Sequence, residues 1–244
     1  MIKVNNIAVY NFSGAFRGLR NPMNSWDKSD SHYCFYVDCD KCPNGKNEND
    51  SIICNNSLIN SELNGMEYYP QDYVIGPADM DLAQRMIKAG SADSKFLRQI
   101  FVSMDITAPL YWWKEADTYK VGTTTDSCST MHKIHAKRFE REDFSIEHLE
   151  NCDEHHWMVA MDNVIASLNV AREKYLETKD KKYWWQMIQL LPSSYNQMRT
   201  WTGSYANLRN MYFQRRNHKL DEWRTFCDKL KELPYGKELI AYEG

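Results

Sequence analysis

The sequence predicts an α+β protein built as a single domain over residues 1–244. Apolar residues alternate along the first twelve positions, as in a strand, whereas later segments repeat apolar residues at helical spacing. The segments follow in the order strand, loop, helix, strand, polar loop and helices, which is typical of α+β domains. The length allows a large buried core, and eight Trp and fifteen Tyr exclude a disordered chain.

The first half of the chain begins with a predicted strand over residues 1–12. An Arg-, Asn- and Ser-rich loop follows, in which Pro22 excludes a helix interior. From Asp79 the apolar residues have helical spacing, and Gly90 is placed to end that helix. Residues 96–106 predict a second strand, ended by Pro109.

The second half is predicted to be largely helical. Residues 145–149 are expected to start a helical region, and residues 157–178 form an amphipathic pattern over several turns. A shorter helix is predicted over residues 181–191, stopped by Pro192, and a last long helix over residues 205–231.

Composition also limits the partners and the compartment. The formal net charge of −3 argues against nucleic-acid and membrane partners, and no apolar run has the length of a membrane span. Seven cysteines, an odd number, favour reduced thiols over a disulfide framework. We therefore expect a cytoplasmic protein.

A surface insertion is predicted at about residues 34–70, which are rich in Asn and turn residues. Its cysteines include one pair separated by two residues, the spacing that suits tetrahedral zinc. A structural zinc site is therefore one interpretation, and ordinary reduced cysteines are the other. The zinc ligands would be Cys39, Cys42 and Cys54, with either Cys34 or His32 as the fourth.

The segment from Ile106 to His132 combines an apolar-aromatic run with a dense set of polar side chains. Buried hydroxyls need partners, so such a set suits a loop that binds a polar ligand. The alternative is a solvated turn with local hydrogen bonds. The candidate ligand-binding residues are Lys120, Thr123, Asp126, Ser127, Cys128, Ser129 and Thr130.

The predicted last helix carries a second polar set, formed by Asn207, Asn210, Gln214, Asn217 and His218 with arginines beside them. Asn is a poor helix former, which indicates a use other than helix stability. Arg215 could clamp a phosphate in bidentate fashion. A solvated helix face with ion pairs is the alternative interpretation.

Together these blocks resemble the flavin-dependent thymidylate synthases. The family signature is Arg-His-Arg, two residues, Ser, one residue, Asn-Glu, one residue, Ser, one residue, Arg-Tyr, after a strand ending in Ala-Pro. Here Ala108-Pro109 matches that step, and the same count places Thr118, Tyr119 and Lys120 on Arg-His-Arg. Thr123, Asp126, Cys128 and Thr130 then fall on the Ser, the Glu, the second Ser and the second Arg.

Further matches lie on both sides of the signature. Leu191-Pro192 matches a step that precedes the last functional helix of the family, which places Asn210 and Ser204 on flavin-binding Asn residues. The same count places Arg215 on an Arg that holds the pyrimidine, and Ala206 on a flavin-binding Arg. Lys88-Ala89-Gly90-Ser91 resembles the helix end before a flavin-contacting His, where Asp93 stands here. Ser25 matches an early Ser near the flavin phosphate.

The resemblance implies a small, mostly antiparallel sheet with several long helices, assembled as a homotetramer. It implies a flavoprotein methyltransferase of nucleotide biosynthesis, with FAD as cofactor and deoxyuridine monophosphate (dUMP) as substrate. Methylenetetrahydrofolate would be the carbon donor, and a reduced nicotinamide such as NADPH the hydride source. An alternative is a degenerate paralogue that binds a nucleotide or a protein partner without catalysis.

The resemblance also assigns roles to individual residues. Arg215 would be catalytic and would bind the substrate together with the seven polar-segment candidates, Lys120 to Thr130. The cofactor-binding residues would be Ser25, Ser91, Asp93, Ser204 and Asn210.

Overall fold

The structure is a computed structural model that describes residues 2–33 and 73–244. The predicted insertion and its four zinc-ligand candidates, Cys34, Cys39, Cys42 and Cys54, lie outside the described residues. The zinc site therefore stays a prediction. Within the described ranges, no three His, Cys, Asp or Glu side chains are grouped so that they could hold a metal ion.

The described chain contains six strands and seven α-helices. The strands are β1 (Lys3–Tyr10), β2 (His32–Tyr33), β3 (Tyr73–Val74), β4 (Phe101–Pro109), β5 (Thr124–Ser127) and β6 (Asn196–Ser204). The α-helices are α1 (Phe12–Arg20), α2 (Pro77–Ala89), α3 (Leu110–Ala116), α4 (Trp157–Thr178), α5 (Lys181–Leu190), α6 (Tyr205–Arg215) and α7 (Asp221–Glu232). The main sheet has the order β1-β4-β6-β5, and β2 pairs with β3 in a separate antiparallel ribbon. None of the described helices is long and apolar enough to cross a membrane.

The chain divides into two compact units, each built from separate segments. The first unit comprises the chain up to Ile7, Ser103–Thr202 and His218–Phe226. The second comprises the described residues of Ala8–Val102, together with Gly203–Asn217 and Cys227–Gly244. A single domain therefore stays a prediction.

The first unit has a core between α4, α5 and the chain that leads into α4. Leu168 of α4 and Met187 of α5 are fully buried and pack with Phe139 and Phe144. Both helices were predicted, α4 to the residue, because their apolar spacing coincides with this core. A second aromatic group in this unit joins Trp112 and Trp113 of α3 to Trp223 of α7, with the rings of Trp112 and Trp223 centred 4.5 Å apart.

The second unit is held by α1 and α2 and by a buried ion pair between them. Arg20 donates to the Asp79 carboxylate, and the two side chains are 6% and 0% exposed. The hydroxyls of Ser29 and Ser31 donate to the other Asp79 oxygen at 2.6 and 2.5 Å. Burial alone would raise the pKa of Asp79, but these hydrogen bonds and the Arg20 charge outweigh it and lower the pKa.

The sequence interpretation was wrong in several places. Residues 17–20, assigned to the first loop, belong to α1, which was not predicted. The predicted second strand begins only at Phe101, because residues 95–98 form a short 3-10 helix that buries Phe96 and Leu97. Residues 145–149 form no helix, since the Ser145 amide donates to the Ser194 carbonyl beside a bridge between Phe144 and Tyr195.

The predicted last helix is two helices. It ends at Arg215 and resumes at Asp221, because residues 216–220 turn with the Leu220 amide donating to His218 Nδ1 at 3.2 Å. Asp221 and Glu222 then place negative charge in the first turn of α7, which favours a new helix start there.

Candidate functional site

The polar segment after α3 folds as a turn followed by the edge strand β5. Three of its hydroxyls make local bonds: Thr118 donates to the Glu115 carbonyl and Thr123 to the Tyr119 carbonyl, each at 2.7 Å. The Ser129 hydroxyl accepts from the amides of Met131 and His132 at 3.2 and 2.8 Å. These groups form the local hydrogen-bonded turns of the alternative interpretation.

Lys120 lies in the turn before β5, and the remaining candidates of this segment lie along β5 or just beyond it. β5 pairs antiparallel with β6, so that Thr124 is opposite Thr202, Asp126 opposite Thr200 and Ser127 opposite Arg199. The Cys128 amide and carbonyl are bound to Met198 and to the Gln197 side chain. The side chains of Lys120, Asp126, Ser127 and Cys128 are exposed, and those of Thr123, Ser129 and Thr130 are half-buried.

The sheet carries a polar row across its exposed face. The Asp105 carboxylate accepts from Thr200 Oγ1 at 2.6 Å and from Asn6 Nδ2 at 2.7 Å. Asp126 lies directly opposite Thr200, and opposed residues of antiparallel strands point to the same face. Hydrogen bonds from Thr200 and then Asn6 lower the pKa of Asp105, so this row stays anionic and suits N–H donors better than phosphates.

Arg199 is a half-buried cation opposite Ser127 in the strand register, and sequence reasoning missed it. Its guanidinium lies 4.3 Å from the centre of the Trp113 ring and donates to Asp117 at 2.7 Å. Its side chain is only 15% exposed. Arg199 could have been placed beside Ser127 only if β6 had been recognised, and residues 196–204 carry no apolar alternation that marks a strand.

A cluster of acids and aromatic rings joins α3 to α7 in the first unit. Glu115 Oε2 lies 3.2 Å from both His218 Nε2 and Trp223 Nε1, and Tyr111 donates to Glu222. Burial and this hydrogen bond raise the pKa of Tyr111 far above its ordinary value. His218 was expected on one helical stripe with Asn207, but it stands beyond the end of α6 and contacts this cluster.

The candidates on α6 have different surroundings. Ser204 is the N-cap of α6 and forms a capping box with Asn207, whose amide donates to the Ser204 hydroxyl at 3.4 Å. Asn210 is exposed and accepts from Gln214 at 2.8 Å. Arg215 is the last residue of the helix and is half-buried.

Arg209 lies next to Asn210 but is already engaged by the carboxyl-terminal segment. One of its nitrogens donates to the carbonyls of Ile240 and Tyr242 at 3.0 and 2.6 Å, and its guanidinium stacks on Phe213. Burial lowers the pKa of Arg209. This arginine therefore anchors the carboxyl-terminal segment on α6.

The other cofactor candidates lie around α1 and α2. Ser25 is buried, and its carbonyl accepts from Arg20 at 3.4 Å. Ser91 and Asp93 are exposed in the turn after α2, where the Asp93 amide donates to the Gly90 carbonyl at 3.2 Å. The second unit contains six of the candidates: Ser25, Ser91, Asp93, Ser204, Asn210 and Arg215. The candidates between Lys120 and Thr130 belong to the first unit.

The phosphate groups of FAD are anionic, so residues that hold these phosphates must offer hydrogen-bond donors. The hydroxyl of Ser91 and the amide of Asn210 are exposed and fit this requirement. Asp93 does not fit beside a phosphate, because its carboxylate only accepts hydrogen bonds, and the Ser204 hydroxyl is already used in the helix cap.

The fold is that of the flavin-dependent thymidylate synthases, so the predicted α+β class and the family resemblance are confirmed at the level of the fold. A structure of thymidylate synthase X (ThyX) from Helicobacter pylori with FAD and dUMP matches all of this chain, and all of that chain is covered. The TM-score is 0.62 and the identity 14%. A second structure of this H. pylori enzyme, complexed with FAD and dUMP, matches 99% of this chain and 98% of that one, with a TM-score of 0.61 and 14% identity. No protein-family model and no curated protein matches the sequence.

Proposed function

We propose that the protein is a flavin-dependent thymidylate synthase that methylates dUMP reductively to thymidylate. It would use FAD, methylenetetrahydrofolate and NADPH, and act in the cytoplasm as a homotetramer. The observation that carries this proposal is the full-length likeness of the chain to two structures that contain FAD and dUMP.

The residues of this chain would bind and orient the ligands. Ser91 and Asn210 would donate hydrogen bonds to FAD, which when bound supplies the redox chemistry. Arg215 would hold the pyrimidine, and Lys120 would attract the nucleotide phosphate. Asp126 and Ser127, exposed on β5, would bind polar groups of the nucleotide.

A second candidate function is ligand binding without catalysis, and one observation favours it. Where the family signature has two arginines and a histidine, this chain has Thr118, Tyr119 and Lys120, and the Thr118 hydroxyl is bound to the backbone. A charged hydrogen bond contributes about 1.5–3 kcal/mol, so losing two weakens nucleotide binding by about two to four orders of magnitude.

Flavin absorbance of the purified protein and turnover of dUMP separate these candidates. Bound FAD together with formation of thymidylate supports the synthase. Bound FAD and a raised melting temperature with dUMP, without turnover, support the non-catalytic function, because a ligand bound only by the native state stabilises it. Protein that neither binds FAD nor responds to dUMP would contradict both.

Arg215→Ala tests the assigned pyrimidine ligand. We expect it to remove most of the dUMP-induced rise in melting temperature. Arg224→Ala is the matched control, since Arg224 is a half-exposed arginine of α7 that pairs with Asp221 within its own helix. An equal dUMP response in the two variants would remove Arg215 from the site.

A further inference from the structure

The turn between α4 and α5 brings together lysines and aromatic rings of the first unit. The chain reverses because Lys179 adopts a left-handed conformation (φ 57°) and Asp180 caps α5 by accepting from the Lys182 amide at 2.9 Å. We call this group of residues the hairpin patch and define it by Lys174, Lys179, Lys181, Lys182, Tyr183, Trp184 and Trp185.

The hairpin patch is positively charged although the whole chain has a net charge of −3. Its acidic neighbours are largely neutralised, because Asp180 pairs with Lys182 and Glu173 pairs with Arg138, each at 3.0 Å. Glu177 is a further acid on α4, and its single negative charge is outnumbered by the positive charges of Lys174, Lys179 and Lys181.

The positive charge continues onto the loop that packs on α4. Burial lowers the pKa of His135, and the charges of Lys179, Lys133 and Arg172 lower it further. The Arg172 guanidinium donates to the His135 carbonyl at 2.9 Å, which fixes this loop against the helix.

The aromatic rings of the patch lie directly beneath the lysines. The Lys182 ammonium is 4.8 Å from the centre of the Tyr183 ring, and the Lys181 ammonium is 6.0 and 5.9 Å from the rings of Trp184 and Trp185. Trp184 is fixed by its indole N–H, which donates to the Met131 carbonyl at 2.8 Å. Trp185 is 45% exposed and leaves an indole surface open to solvent.

We propose that the hairpin patch binds single-stranded nucleic acid, a function beyond the proposed synthase activity. Lysines beside the exposed Trp185 ring match what a single strand offers, because phosphates attract the ammonium groups and unpaired bases stack on aromatic side chains. An acidic peptide would supply negative charge for the lysines but no flat bases to stack on the aromatic rings. A membrane surface fits less well, because the tip of the turn, Lys179 to Lys182, is charged and exposed rather than apolar.

Fluorescence anisotropy of a labelled single-stranded oligonucleotide with the full-length protein at low salt tests the proposal. We expect measurable binding, with log K falling linearly against log salt by about 0.7 per phosphate contacted. Trp185→Ala should weaken binding about five- to a hundred-fold through lost base stacking. Lys181→Gln should reduce the salt slope by about 0.7.

Two variants outside the patch serve as controls. Trp157→Ala removes a comparably exposed tryptophan, 49%, at the start of α4, 17 residues before Lys174 and therefore about 25 Å from it along the helix axis. Lys237→Gln removes an exposed lysine of the second unit. Both should bind the oligonucleotide as the unmodified protein does, and thermal melting should show that all four variants are folded.

Several results would overturn the proposal. These are absence of binding at low salt, an equal loss in Trp157→Ala and Trp185→Ala, or binding that Trp185→Ala and Lys181→Gln leave unchanged. Binding to vesicles that contain anionic lipid, without binding to the oligonucleotide, would assign the patch to a membrane surface instead. None of these measurements depends on FAD or dUMP, so failure of the synthase proposal would leave this result interpretable.

Discussion

Replacing Asp79 by alanine is expected to destabilise the protein by about 3–5 kcal/mol, the usual cost of removing one partner from a buried ion pair. The carboxylate is fully buried and accepts from Arg20, Ser29 and Ser31. Without it, the Arg20 guanidinium, whose side chain is 6% exposed, stays charged in a site without its counter-ion.

The same helix offers a matched control. Asp81 pairs with Arg85 at 2.9 Å, but these side chains are 67% and 63% exposed. Water screens such a pair, so Asp81→Ala should change the free energy of unfolding by less than about 1 kcal/mol.

Urea denaturation, followed by far-UV circular dichroism, measures both variants, and an unchanged m-value shows that the unfolded state is comparable. Equal unfolding free energies for Asp79→Ala and Asp81→Ala would refute the reasoning. A double replacement, Arg20→Met with Asp79→Leu, should recover much of the loss, since apolar pairs often replace buried ion pairs without cost.

Two further predictions concern pH and a helix cap. Burial and neighbouring cations lower the pKa of His135 in the folded state, so its contribution to stability is present above about pH 6.5 and is lost as pH falls below that value. Melting temperatures across this range should therefore fall less in His135→Gln, and an identical fall in both proteins would count against the idea. Ser204→Ala should cost about 0.5–2 kcal/mol by removing the N-cap of α6. Ser193→Ala, at an exposed turn, should cost almost nothing in the same unfolding assay, and equal losses would show that the cap contributes little.

The helices that sequence reasoning located are those whose apolar spacing coincides with a core and whose ends carry a clear signal. α2 ends at Ala89 and is capped by Gly90, which has a φ of 119°, and α5 begins after the cap residue Asp180. The strands β5 and β6 were missed because exposed and buried polar residues occupy them, Thr200 on one face and Gln197 on the other, so no apolar alternation marks them.

The candidate site could be predicted only in part, for a similar reason. The polar composition of residues 117–130 was visible in the sequence, but which hydroxyls are used in turns depends on the folded backbone. The pairing of Asp126 with Thr200 and the position of Arg199 depend on strand register, which a single chain does not reveal without recognising β6. Local hydrogen bonding and cross-strand neighbours account for what was missed.

The hydrogen bonds from Arg209 to the carbonyls of Ile240 and Tyr242 attach the segment around residues 240–242 to α6 and stabilise both. Removal of the residues from Ile240 onward would take away two hydrogen-bond acceptors of the half-buried Arg209 guanidinium. Because Arg209 is next to Asn210, this loss would perturb the helix that carries the flavin candidates.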